Sequence, residues 1–339
     1  MADKKLGNQS VRLGKPPSII AAAAIGGPKE GKGPLAAYFD LTVEDEAWGE
    51  KSWEKAESKF MKETLSRVMD KAGKTSGEVD YIVAGDLLNQ CIAANFGLRE
   101  CSIPFFGVYG ACSTMGEAMI LGSLLIDGGA ASCAVCITSS HFCSAEKQFR
   151  FPLELGSQRP PTAQWTVTGS GGVMLCDLGA GPYIKHVTTG KIVDMGIKDQ
   201  NNMGAAMAPA AADTIFAHFR DTGLPHDYYD MVITGDLGTI GREICDEMLS
   251  ANGISIGGLL NDCGLLIYDM KTQDPHAGAS GCGCSATVFA GFLYRKLIEG
   301  ELNRILLVPT GALLSTTSVQ QGETIPCIAH AVGIERSLT

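Results

Sequence analysis

The chain is short of charge, and of basic residues most of all. Of its 339 residues only 19% are Asp, Glu, Lys or Arg, and 27 basic side chains face 37 acidic ones, for a formal net charge of −10. A surface of that sign repels a polyanion, which excludes sequence-independent nucleic-acid binding. It also offers no polybasic patch to an anionic membrane. Long apolar runs are missing as well, since none approaches the ~20 residues a membrane-spanning helix needs. The opening Met1-Ala-Asp-Lys-Lys-Leu-Gly lacks the apolar stretch of a secretion signal, so no signal is expected. Cysteines in zinc-finger spacing are absent. Cys133-Ala-Val-Cys136 sits inside a Val/Ile-rich run and reads as core. The cysteines scatter through apolar segments and are expected to be free thiols in a reducing compartment. No EF-hand-like loop supplies the six to eight oxygens that calcium takes, so no metal ligands and no cofactor are expected.

What is present is a large core and many turns: 45% hydrophobic residues and 42 glycines spread along the whole chain. Residues 1–17 are polar, without periodicity, and read as a flexible tail. Ser18 to Ile25 reads as a buried strand. Trp53, Ala56, Phe60, Met61, Leu65 and Val68 recur at spacings of three and four, an amphipathic helix stopped near Gly73. Val79–Gly85 and Pro104–Tyr109 read as strands, with a helix over 92–99 between them. Thr114-Met-Gly-Glu117 fits a capping box that opens a helix, and Ala131–Thr138 reads as the next buried strand. This β-α-β-α-β order implies parallel strands with helical crossovers. Ser139 to Trp165 is rich in charge and proline and reads as a loop at a strand end, where sites are commonly built. Thr166–Cys176 and Tyr183–Val193 read as consecutive antiparallel strands. Pro209 is expected in the first turn of a helix that runs to Arg220, and Cys263–Tyr268 reads as a strand.

The stretch Gly110-Ala-Cys-Ser-Thr-Met115 lies between a strand-like and a helix-like run. A cysteine there sits among unpaired backbone N–H groups at the positive end of the helix dipole, which favours thiolate and leaves donors for an oxygen beside the sulfur. Alone it would read as a buried cysteine in a tight turn. It gains meaning because the chain echoes itself. Tyr81-Ile-Val-Ala-Gly-Asp-Leu87 returns as Met231-Val-Ile-Thr-Gly-Asp-Leu237. Cys112-Ser-Thr returns as Cys284-Ser-Ala, and Ile126-Asp-Gly128 as Ile298-Glu-Gly300. The second copy is longer between its first and second echoes, which places an insertion in the Asn261 to Gly278 region. The chain therefore reads as two copies of one βαβαβ unit, residues 18–195 and 196–339. Cys112 and Cys284 are expected to face a shared cavity, with Asp86 and Asp236 at equivalent strand ends, where open α/β sheets bind ligands.

This layout resembles the thiolase fold, which implies an α-β-α-β-α layered protein of two duplicated halves. Cys112 is similar to the acyl-accepting cysteine of thiolases and of β-ketoacyl carrier-protein synthases of the third type. Longer stretches resemble one family in particular. They include Ala84-Gly-Asp-Leu-Leu-Asn-Gln90, Phe106-Gly-Val-Tyr-Gly-Ala-Cys-Ser-Thr114, Glu146-Lys-Gln-Phe-Arg-Phe-Pro152 and Met203-Gly-Ala-Ala-Met-Ala-Pro209. The likeness covers about residues 18 to 336 and is to the stage V sporulation protein AD family of spore-forming Firmicutes. It implies binding of dipicolinic acid, alone or with calcium, during uptake into the forespore, and a link to germination alongside membrane proteins of the same operon. It also implies a homodimer and peripheral association with the spore inner membrane.

Condensing enzymes of the third type pair their cysteine with His and Asn. At those places this chain has Gly235-Asp236 and Gly281-Cys-Gly-Cys284. An aspartate cannot stand in for a cationic partner of a thiolate, because two like charges oppose each other's ionisation. Binding without turnover is the resulting expectation. The candidate ligand-binding residues are Asp86, Cys112, His141, Asp236, Cys284 and His330, with Arg150, Lys147 and Arg159 of the charged loop as partners for carboxylates. The rivals are an active acyl transferase using Cys112 with His141 or His330, and a membrane-associated scaffold with a vestigial pocket.

Overall fold

A computed structural model describes residues 4–149 and 159–338. The first repeat contributes strands β1 (Ser18–Gly26), β2 (Tyr81–Gly85), β3 (Phe105–Gly107), β4 (Cys133–Ser140) and β5 (Gly169–Cys176). They lie in the order β3-β2-β4-β5-β1, with β2 parallel to β3 and β4, and β5 antiparallel to β4 and β1. The second repeat contributes β6 (Tyr183–Thr188), β7 (Met231–Thr234), β8 (Leu260–Asp262), β9 (Arg304–Val308), a short pair β10 (Thr310–Ala312) and β11 (Cys327–Ala329), and β12 (Ala331–Glu335). Its order, β8-β7-β9-β12-β6, reproduces the first strand for strand. The two sets join where Ser18 pairs with Tyr183.

Apart from short turns of helix such as Cys263–Leu266 and Thr316–Gln320, the helices are α1 (Trp53–Ala72), α2 (Ile92–Leu98), α3 (Thr114–Asp127), α4 (Phe142–Phe149), α5 (Met203–Thr222), α6 (Gly238–Ala251) and α7 (Cys282–Thr287), which runs on through Val288–Leu293 and Tyr294–Glu299. α1 forms as its spacing predicts. Ser52 accepts from the Lys55 N–H at its start, and Gly73 ends it in the left-handed conformation with φ 62°. α3 and the start of α7 are buried on almost every side and form the central layer. Close approach makes that layer possible: a Cβ on Gly171 of β5 would lie 2.2 Å from the Ala286 carbonyl carbon of α7. This is the α/β thiolase-like architecture, two related halves around a central helical layer. Among the described residues no helix is long and apolar enough to cross a membrane.

Several sequence expectations change. The strands ending at Cys176 and starting at Tyr183 do not pair with each other, because β1 lies between them and β6 opens the second set. The tail is not loose over its described part. Lys5–Leu6 pairs with Ser10–Arg12, and the latter pairs with β6, anchored by Asp221 accepting from the Gln9 N–H at 3.0 Å. α5 starts at Met203, capped by Asn202, so Pro209 falls inside the helix. The strand expected at Cys263–Tyr268 is instead β8, followed by a one-turn helix, Cys263–Leu266. Most of the insertion lies between β8 and α7, as the echoes indicated. Cys133 and Cys176, which face each other across β4 and β5, form a disulfide rather than remaining free thiols.

Candidate functional site

The chain between β3 and α3 turns sharply at Ala111, a non-glycine residue at φ 50°. Backbone held in that region marks a place where the surroundings over-determine the fold. The surroundings are tight: a Cβ on Gly311 of β10 would come within 2.1 Å of the Gly110 carbonyl oxygen. The expected capping box does not form. Ser113 and Thr114 instead donate their hydroxyls back to the carbonyls of Gly110 and Ala111, both at 2.6 Å, tying the turn to the helix it begins.

The turn presents Cys112, 7% exposed, to a cavity of about 590 Å³, part of it open to solvent. The first half supplies Tyr109 and, from α4, Ala145 and Phe149. The second supplies Met203, Ser280 and Ala312. The cavity thus lies between the two repeats. Among the described residues its only charged lining side chain is Glu146, which has a partner of its own.

Behind Cys112 stands a buried polar network. Its sulfur lies 3.9 Å from the Ser280 hydroxyl, and Ser280 donates to Asp236 at 3.2 Å. The Gly281 N–H donates to the same carboxylate oxygen at 3.1 Å, and Thr310 to the other at 2.6 Å. Gln164 donates to the Asp236 carbonyl at 2.7 Å. Burial, only partly offset by these donors, pushes the Asp236 carboxyl up to about 6. Burial and the neighbouring Asp236 carboxylate push the Cys112 thiol well above its ordinary range. The sulfur is therefore a protonated thiol near neutral pH. The helix start does not make it a thiolate, because burial and a like-charged neighbour outweigh the dipole.

The other predicted residues lie elsewhere. Asp86 does not line the cavity; its two oxygens accept from the Leu88 and Ala94 N–H groups, both at 2.8 Å, and hold the start of α2. Burial raises it to about 6. Cys284 is fully buried and donates to the Gly235 carbonyl at 3.3 Å; it is Cys282, two residues earlier, that packs against Cys112. His141 donates from Nε2 to the Glu46 carbonyl at 2.8 Å and accepts at Nδ1 from the Cys143 N–H at 3.2 Å, so it is spoken for on both sides. Burial lowers its pKa. His330 accepts from the Gly190 N–H at 3.3 Å, is lowered to about 4 by burial, and lines neither the cavity nor the network. Arg150 lies outside the described residues. Lys147 pairs with Glu54 at 2.6 Å, and Arg159 stacks over Trp165, so neither lines the cavity. Sequence reasoning passed over Ser280, Tyr109 and Met203. Ser280 had a signal, its place in the Gly-rich turn that echoes the cysteine turn; Met203 had none.

The fold has relatives of known structure. The chain superimposes on 3-oxoacyl-[acyl-carrier-protein] synthase III from Aquifex aeolicus with a TM-score of 0.57, 12% identity and coverage of 94% of this chain and 99% of that one. It superimposes on the tetronic acid condensing enzyme AbyA1 with a TM-score of 0.56, 15% identity and coverage of 94% and 99%. OleA from Xanthomonas campestris gives 0.55 at 13% identity, covering 98% and 99%. The molecule is therefore a protein of the thiolase-like condensing-enzyme fold class. Its sequence is 46% identical over 334 residues to the stage V sporulation protein AD of Bacillus subtilis, covering 98% of both chains, and the profile of that family matches residues 7–335. The chain belongs to the stage V sporulation protein AD family.

Proposed function

We propose that this protein is a non-catalytic sporulation protein that binds dipicolinic acid, free or as its calcium chelate, in the cavity beside Cys112. It would act in uptake into the developing spore and in germination. The observation that carries the reading is the company Cys112 keeps. The charge that bears on it most is the buried Asp236, which opposes thiolate formation, and neither His141 nor His330 reaches it. A condensing enzyme needs a base or cation there. The cavity keeps neutral donors, the Thr166 hydroxyl, the Gln200 amide and the Cys112 thiol, suited to a flat diacid. Among the described residues no group of His, Cys, Asp and Glu is arranged to hold a metal, so calcium would arrive on the ligand.

We further propose a homodimer in which β3 pairs with its copy, at a protein peripheral to the spore inner membrane beside membrane proteins of the same operon. β3 is the bare end of its sheet, and Phe105 and Phe106 are exposed there. An apolar sheet edge left uncovered is a template for strand pairing. The test is calorimetric titration with dipicolinate, run in parallel with acyl-CoA and an assay for released CoA thiol. Saturable dipicolinate binding without thiol release supports the reading. Thiol release without dipicolinate binding would replace it with an acyl transferase, and silence toward both would leave a scaffold.

A further inference from the structure

Beside the cavity lies a second hollow of about 790 Å³, part of it open to solvent, lined among others by Asn89, Gln90, Gln148 and Ser315. Three residues line both spaces: Tyr109, Phe149 and Leu314. The wall between them is therefore one side chain thick. We propose that the outer hollow is the access chamber of the cavity and that Tyr109 is the side chain that opens the passage. This rests on the reading that the inner cavity is the binding site.

The three wall residues are held very differently. Phe149 ends α4, and α4 is pinned along its length. Ser144 donates to Glu57 at 2.6 Å, Lys147 pairs with Glu54 at 2.6 Å, and Gln148 donates to the Leu87 carbonyl at 3.1 Å while accepting from the Asn89 N–H at 3.0 Å. Leu314 follows Leu313, whose N–H donates to the Pro326 carbonyl at 2.8 Å. Tyr109 is 43% exposed, and its hydroxyl makes no hydrogen bond within the described residues. Its backbone neighbours are fixed, with the Val108 N–H on the Ala84 carbonyl at 2.9 Å and the Gly110 N–H on the Thr114 hydroxyl at 3.1 Å. The ring can therefore swing about χ1 while the turn that carries Cys112 stays in place, and such rotamer changes at exposed side chains are fast.

The chemistry of the chamber fits a diacid in transit. Its described lining carries amide and hydroxyl groups and no charged side chain. These groups can donate to carboxylates without holding them as tightly as an arginine fork would.

The test follows the rate at which iodoacetamide alkylates Cys112 at pH 9, read by peptide mass spectrometry, because that readout does not depend on the identity of the ligand. Tyr109→Ala should raise the rate about ten-fold and Leu314→Trp should lower it by a similar factor. Asn89→Trp is the decisive variant, since Asn89 lines the outer chamber only. It should slow alkylation without touching the inner cavity. Rates that stay within about two-fold of wild type in Tyr109→Ala and Asn89→Trp overturn the proposal. Rates that respond while dipicolinate fails to bind wild type support the passage and remove only the ligand assignment.

Discussion

The two halves share a strand order and differ at every equivalent point that matters. Asp86 and Asp236 end equivalent strands, yet Asp86 is satisfied by the backbone of α2 whereas Asp236 gathers two hydroxyls and one N–H behind the cavity. Cys112 lines the cavity, and its echo Cys284 is core. β3 is exposed along its length. Its counterpart β8 is buried at Leu260 and Asp262, with Arg242 of α6 donating to the Leu260 carbonyl at 2.9 Å. On one shared frame, the first half puts its cysteine turn on the cavity and the second sets the Asp236 network behind it, while side chains of both halves form the wall.

The sharpest way to break this comparison is to remove the equivalent aspartates in turn. Asp86→Asn sets an amide N–H against the Leu88 or Ala94 N–H, neither of which can accept, and should cost roughly 3 kcal/mol in denaturant unfolding. Asp236→Asn should cost less than about 1 kcal/mol, because the Thr310 hydroxyl can reverse its role and accept from the new amide. Equal losses would mean that the two carboxylates do the same work.

The buried histidines sharpen it next. His330 is held neutral, its pKa lowered to about 4. A depressed histidine contributes stability that is full above its unfolded value near 6.5 and is lost as pH falls toward 4. Wild type should therefore lose up to roughly 3 kcal/mol relative to His330→Gln between those limits. Thermal melts of both proteins across that range measure it, and parallel curves would show that His330 is not buried neutral.

Smaller effects separate the cysteines. Cys284→Ala removes a core sulfur and should cost about 1–2 kcal/mol without changing ligand affinity. Cys112→Ala should leave stability within about 0.5 kcal/mol and weaken ligand binding several-fold. The smallest effect on protomer stability belongs to the sheet edge. Phe106→Lys should change it by less than about 0.5 kcal/mol, yet shift sedimentation from dimer to monomer. A wild-type monomer by sedimentation would sink that pairing.

The frame was legible because its signals are local and repeated. The strand runs, the helix from Trp53 to its stop near Gly73 and the echoed Gly-Asp-Leu and Cys-Ser stretches all read directly from residue order. The place of β6 was not, because nothing in Tyr183–Thr188 says that β1 comes between it and β5; strand order is set by long-range pairing. The site was half legible. Cys112 stood out by its turn, but a buried aspartate that binds backbone and one that binds hydroxyls share the same Gly-Asp-Leu sequence. The histidines misled for a related reason: a histidine at a strand end looks the same whether its nitrogens face a cavity or, as in His141, the backbone of Glu46 and Cys143. Met203 and Ala312 reach the cavity only through the meeting of the two halves, which no local pattern encodes.

The central claim is that the cavity between the halves is the ligand site. Calorimetry of dipicolinate with wild type and with Ala312→Trp, which fills that cavity from the second half, tests it most directly. The account expects saturable binding of one ligand per wild-type chain and none to a variant whose circular dichroism is unchanged. Undiminished binding to the filled variant would place the ligand elsewhere and contradict it.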